Sequence, residues 1–151
     1  MVLKNNNKTI YVPIAADIIH AGHLNIINKA RKYGKVIIGL LSDKAIAEYK
    51  RLPLNSYNER LVVIKNFKNI NKVVKQETWD YEKNLLQIKP DYLIHGDDWK
   101  TGVQKKTRLK VLKILKKIKG RLIEIPYTKN VSSTTIINKL NIHLDKKDSR
   151  V

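Results

Sequence analysis

Two of the chain's four histidines, His20 and His23, stand three residues apart in the string Asp17-Ile18-Ile19-His20-Ala21-Gly22-His23. An apolar β-type run at 9–14 precedes them and helical spacing follows, so they fall where a helix begins. Gly22 removes a side chain between the rings, and unpaired backbone N–H groups add positive potential to the same spot. This suits a polyphosphate whose oxygens gain charge as a bond to phosphorus breaks. Zinc ligation asks for i,i+4 spacing and a third ligand, which is not evident nearby. The remaining alternative is a pair of incidental surface histidines.

The elements that must position these residues alternate along the chain. Strand-like runs lie at 9–14, 36–41, 73–74, 92–95 and 122–125. Helical spacing covers 24–33, 57–67, 81–88, 103–118 and 132–140. Gly34 stops the first helix, Pro90 the third and Gly120, as a C-cap, the fourth. The alternation predicts an α/β fold, a doubly wound parallel sheet of about five strands covered on both faces. Ligands then bind beyond the carboxyl ends of the strands, after Ile14, Leu41, His95 and Ile125. One domain is expected over 1–142, with 143–151 a charged tail or the start of a linker.

With 31 Lys+Arg against 13 Asp+Glu, the net charge of +18 suggests an anionic partner. Only 6 of those cations are Arg, and aromatic residues are not interleaved with them, which argues against nucleic acid as the main partner. Segment 100–121 holds ten basic residues and no acid, yet keeps its apolar stripe, and reads as a solvated helix face. The absence of cysteine excludes disulfides and Cys-ligated metals. No apolar run is long enough for a membrane span and the first eight residues lack a signal core, so a cytoplasmic location is expected.

The H-x-G-H string after the first strand resembles the signature of the nucleotidylyltransferase superfamily, and Asp17 three residues earlier resembles its cytidylyltransferase branch. Gly96-Asp97-Asp98-Trp99 is similar to the G-D-D-W of glycerol-3-phosphate cytidylyltransferases. Val131-Ser132-Ser133-Thr134-Thr135 resembles the branch's closing motif. Tyr49-Lys50-Arg51-Leu52-Pro53, Gln76-Glu77-Thr78 and Gly96 through Lys105 look most like the cytidylyltransferase domain associated with phosphoenolpyruvate mutase in phosphonate biosynthesis. Tyr127, where glycerol-3-phosphate enzymes have arginine, favours the phosphonate subgroup.

The resemblance implies a CTP-dependent transfer of CMP to a small phosphonate, such as 2-aminoethylphosphonate or a hydroxyalkylphosphonate, with Mg²⁺ accompanying the nucleotide. The alternatives are glycerol-3-phosphate as acceptor and, from another class, a basic nucleic-acid-binding module. By the same resemblance the catalytic residues are His20, His23, Lys50 and Arg60. The nucleotide is expected at Ala15, Ala16, Asp17, Gly22, Asp97, Tyr127, Ser132, Ser133 and Thr134, and the acceptor at Lys44, Arg51, Arg60 and Trp99. Asp17 is the one candidate metal ligand. A homodimer is expected from the family, although its interface segment here is 68–74, where Lys68 and Asn71 replace an Arg and an Asp and remove a bidentate pair. Plain structural uses stand beside these roles: an Asx turn at Asp97 or Asp98, a helix cap at the hydroxyl cluster, packing at Trp99.

Overall fold

The computed structural model describes residues 7–148, with side chains up to 141. Strands β1 (Thr9–Ile14), β2 (Lys35–Leu41), β3 (Lys72–Gln76), β4 (Tyr92–Gly96) and β5 (Arg121–Ile125) form one parallel sheet in the order β3-β2-β1-β4-β5. Helices α1 (Ala21–Ala30), α2 (Asp43–Ala47), α3 (Tyr57–Lys65), α4 (Glu82–Ile88), α5 (Lys105–Lys117) and α6 (Ser133–Asp148) complete the chain, with two 3₁₀ turns between β4 and α5. The strand order reverses between β1 and β4, which is where a parallel sheet opens a crevice.

Period-2 alternation separates two cores. Ile10, Val12 and Ile14 of β1, Val36, Ile38 and Leu40 of β2 and Ile94 of β4 share one face with Ile27 of α1 and Ile64 of α3. Tyr11 and Leu93 point the other way, into Leu85 of α4 and Val111, Ile114 and Leu115 of α5. Each fully buried aliphatic side chain contributes on the order of 1.5–3 kcal/mol, so β1 and β2, apolar on both faces, belong at the centre.

The departures from expectation are local. α1 begins at Ala21 rather than 24, because His20 caps it. α2 was not expected; Ser42 accepts a hydrogen bond from the Ala45 N–H and starts this five-residue helix. At the end of α5 it is Lys119 that takes the left-handed conformation (φ 61°). Gly120 is the next residue, its N–H on the Leu115 carbonyl, and a Cβ there would stand 2.7 Å from the Pro90 oxygen. α6 runs to Asp148, past the expected end at 140, so 143–148 of the segment expected as a charged tail or the start of a linker are helical; 149–151 lie outside the described residues.

Arg60 of α3 locks the carboxyl ends of β1 and β2. Its side chain is 1% exposed, and Nη1 donates to the Ala15 oxygen (2.6 Å) and the Leu41 oxygen (2.8 Å). Nε donates to the Asn55 oxygen (3.1 Å), and Nη2 to Asp43 Oδ1 (2.6 Å). Arg60→Met leaves those acceptors without partners and should cost about 3–5 kcal/mol in urea unfolding. A loss below about 1 kcal/mol would show that the strand ends hold without it.

Candidate active site

A cleft of about 480 Å³ opens over the ends of β1 and β4. One wall is the first turn of α1, with His20, Gly22 and His23; the opposite wall is the first turn of α6, with Ser132, Ser133 and Thr134. Two helix N-termini thus border one space, and the positive ends of their dipoles, with the N–H groups of Ser133 and Thr134 without hydrogen-bond partners among the described residues, suit it to an anion.

The histidines are oriented by the helix they start. Nδ1 of His20 accepts from the Gly22 N–H (3.1 Å), and Nδ1 of His23 accepts from the His20 N–H (3.2 Å), a reciprocal capping box. With both Nδ1 atoms accepting, each neutral ring carries its proton on Nε2 and keeps that donor for a ligand. The ring centroids lie 4.0 Å apart, and a Cβ on residue 22 would meet the His20 ring at 2.8 Å, so glycine is required there.

Burial first, then the repulsion that a second charged ring at His20 would bring and the Lys50 ammonium, hold His23 down to about 4. Burial and Lys50 also lower His20. Lys50, exposed at the rim, is itself lowered by burial of its charge and by Arg51, against the pull of Asp17 and Asp98.

On the far wall Ser132 caps α6, its Oγ accepting from the Thr135 N–H at 3.0 Å. Ser133, buried, and Thr134, exposed, follow in the first turn. The loop before them is pinned by Asp97, whose Oδ1 accepts from the Tyr127 N–H (2.9 Å), and by the Tyr127 hydroxyl donating to the Val131 oxygen. Asn25 of α1 reaches across to Thr128 Oγ1 at 3.3 Å, joining the two walls.

Of the residues expected at the site, the cleft brings together His20, His23, Lys50, Ala15, Gly22, Tyr127, Ser132, Ser133 and Thr134. The others are placed differently. Arg60 lies beneath the cleft with its donors spent on carbonyls and Asp43, so no free fork remains for an acceptor phosphate. Asp17 is buried, both carboxylate oxygens taken by the N–H groups of Leu54 and Asn55 and by Arg51, which leaves no geometry for a metal ion. Arg51 is its ion-pair partner at 2.9 Å. Trp99 is fully buried, stacked on His95 at 3.8 Å and donating to Glu124, and so cannot touch an acceptor. Lys44 is exposed on α2, away from the cleft lining. Ala16, at φ 55°, is buried behind Ala15, and Asp97 acts on the loop instead of lining the cleft.

The cleft also includes His95, Asp98, Tyr49, Tyr81, Gln104 and Thr128, which sequence reasoning missed as site residues. His95 lies at the carboxyl end of β4, and Asp98 and Thr128 follow the ends of β4 and β5, so that rule alone could have flagged them. Among the described residues, no group of three or more His, Cys, Asp or Glu could hold a metal ion, and no helix is long and apolar enough to cross a membrane.

A parallel sheet with a cleft bordered by two helix N-termini at its switch point is the arrangement in which such folds hold their ligands. The cytidylyltransferase-like family profile matches residues 15–139, and this chain belongs to that family of nucleotidyltransferases. It is 31% identical over 140 residues to ethanolamine-phosphate cytidylyltransferase of Arabidopsis thaliana, covering 87% of this chain and 32% of that protein. It is 28% identical over 139 residues to bifunctional protein HldE of Pseudomonas aeruginosa, covering 90% and 28%. The chain therefore spans about a third of the length of these curated relatives. Its fold is similar to a lipopolysaccharide core biosynthesis protein from Thermoplasma volcanium, with a TM-score of 0.66 at 20% identity over 81% of this chain and 97% of that one. Pantoate-beta-alanine ligase from Francisella tularensis gives 0.56 at 15% identity over 87% and 68%.

The depressed histidines set a pH dependence. Between the ordinary value of 6.5 and about 4 an unfolded His23 binds a proton and the folded one does not, so stability falls as pH drops through that window. The His23 imidazole resonance should titrate near 4 in the free protein. His23→Gln should flatten the loss of urea stability between pH 6.5 and 4. A midpoint near 6.5 would contradict the burial argument.

Proposed function

We propose that this domain transfers the CMP group of CTP to an oxygen of a small phosphonate or phosphate monoester and releases pyrophosphate. The observation that carries this reading is the pair of neutral Nε2–H donors on His20 and His23 facing the α6 N-terminus across the switch point. The acceptor oxygen forms a bond to the α-phosphorus as the bond to the bridging α–β oxygen breaks, and the electron pair leaves with pyrophosphate. Charge then builds on the non-bridging and leaving oxygens, and fixed donors aimed at them lower the barrier without reorganising.

In this reading His20 and His23 hold the α- and β-phosphates, and Ser133, Thr134 and their N–H groups hold the β- and γ-phosphates. Lys50 closes the rim over the triphosphate and the incoming acceptor, and Tyr127 with Ala15 borders the nucleoside. Mg²⁺ carried by CTP would be held largely by the nucleotide's own oxygens, with the Asp98 carboxylate in reach of the cleft, and would neutralise the leaving pyrophosphate.

Family membership supports the cytidine nucleotide, and the named activity of the Arabidopsis relative is in keeping with a small phosphorylated acceptor. The motifs at Tyr49 through Pro53, Gln76 through Thr78 and Gly96 through Lys105, together with Tyr127, favour a phosphonate. A two-copy assembly belongs to the same proposal.

Pyrophosphate release should appear with CTP and a phosphonate in an acceptor panel. Turnover with ATP but not CTP would overturn the nucleotide assignment. His23→Ala should lower turnover by at least ~100-fold, the scale of losing one transition-state donor; near-normal turnover would remove His23 from the reaction.

A further inference from the structure

Lys50 is the cation at the cleft rim, yet among the described residues its ammonium has no hydrogen-bond or ion-pair partner, so beyond the longer-range pull of Asp17 and Asp98 its place is set by its backbone. On one side that backbone is tied to α2, the Lys50 N–H donating to the Ile46 oxygen at 3.0 Å. On the other side segment 51–55 crosses the surface with Leu52 69% and Leu54 68% exposed, so apolar packing does not hold it there.

What holds it is Asp17. Its Oδ1 accepts from the N–H groups of Leu54 (2.9 Å) and Asn55 (2.9 Å), and its Oδ2 accepts from Arg51 Nη1 (2.9 Å) and again from Leu54 (3.0 Å). Its own backbone oxygen accepts from Asn55 Nδ2 at 2.8 Å. Burial alone would raise the Asp17 carboxyl, but the Asn55 and Leu54 N–H groups and the Arg51 guanidinium overcome that and hold it below the ordinary aspartate value. It is therefore an anion at neutral pH, with acceptor capacity that an amide cannot match.

Resting on the cytidylyl-transfer reading, we propose that Asp17 is a positioning residue for Lys50. It acts through Arg51 and the 51–55 backbone and makes no contact with nucleotide or metal. Arg51 and Lys50 are adjacent in the chain but face opposite ways: the guanidinium turns inward to Asp17, and the lysine is left at the cleft. A buried carboxylate at the end of β1 thereby fixes a cation whose own side chain is free.

The test is a double-mutant cycle with a readout that does not need turnover. Asp17→Asn keeps one acceptor for the backbone N–H groups and loses the Arg51 ion pair. In the full chain it should lower kcat by about 10- to 100-fold, the cost of misplacing one group by roughly an ångström. In a Lys50→Met background the same change should cost less than about twofold. In ¹³C-dimethylated protein, the Lys50 resonance, assigned by its absence from Lys50→Met, should move to the position of freely solvated lysines in Asp17→Asn.

Equal losses in both backgrounds, or an unmoved Lys50 resonance, would overturn the proposal. If no acceptor panel releases pyrophosphate, the cytidylyl-transfer reading fails, and the resonance alone still decides whether Asp17 positions Lys50. Should Asp17→Asn not fold, Arg51→Met, at a surface position, enters the same cycle, and the same two results support or overturn the proposal.

Discussion

The buried guanidinium of Arg60 is the interaction on which the cleft depends. It takes carbonyl oxygens from the β1 end, the β2 end and the 51–55 segment, and closes on Asp43 at the start of α2. Those carbonyls belong to chain leaving the sheet, where no ladder satisfies them, and burial without a donor would cost heavily. Lysine could not replace it: three donors on a point cannot span acceptors spread in a plane, whereas a guanidinium presents five in a fixed fork. The charge itself is tolerated because it is paired with Asp43 and hydrogen-bonded through four of its five N–H groups.

Above that keystone, a division of labour becomes visible. Polar residues that shape the cleft (Asp17, Arg60, Asp97, Ser132) direct their hydrogen bonds inward to backbone. Others that line the cleft (His20, His23, Lys50, Ser133, Thr134) keep donors unspent, and in the proposed reaction these meet the ligand. The two helix N-termini supply positive potential without mobile charge, and in a chain carrying +18 Lys50 is the one ammonium among the described residues that line the cleft. Many of the remaining cations sit on exposed faces such as the outer side of α5; some pair locally, as Lys110 does with Asp80 and Glu82, and the others act through long-range attraction.

Much of this was legible in the sequence, and the reasons for the exceptions are physical. Alternating β-branched runs announced the sheet, because strands buried on both faces tolerate little else. The H-x-G-H spacing announced the helix start that borders the cleft, because a helix start fixes where its cap residues point. Arg60, Asp17 and Trp99 were misread for a common reason. A charged or aromatic residue beside a cleft looks like a ligand contact until the acceptors within its reach are known, and for Arg60 those come from residues 15, 41, 43 and 55. α2 escaped notice because five residues are too few for a helical period to show. α6 was cut short because its later residues are charged, and a helix continues through charge as readily as through leucine.

The capping box of His20 and His23 carries a last implication, for the heat of binding. Two imidazoles that rest neutral because they are buried beside positive groups become better bases once a polyanion arrives. In the proposed reaction, a proton taken up with the nucleotide has to enter at Nδ1, the atom that accepts the cap N–H, so the measured enthalpy would include the loss of a cap as well as the ionisation of the buffer that gave the proton up. Affinity, proton inventory and the start of a helix are thus properties of the same two side chains, and none can be altered without the others.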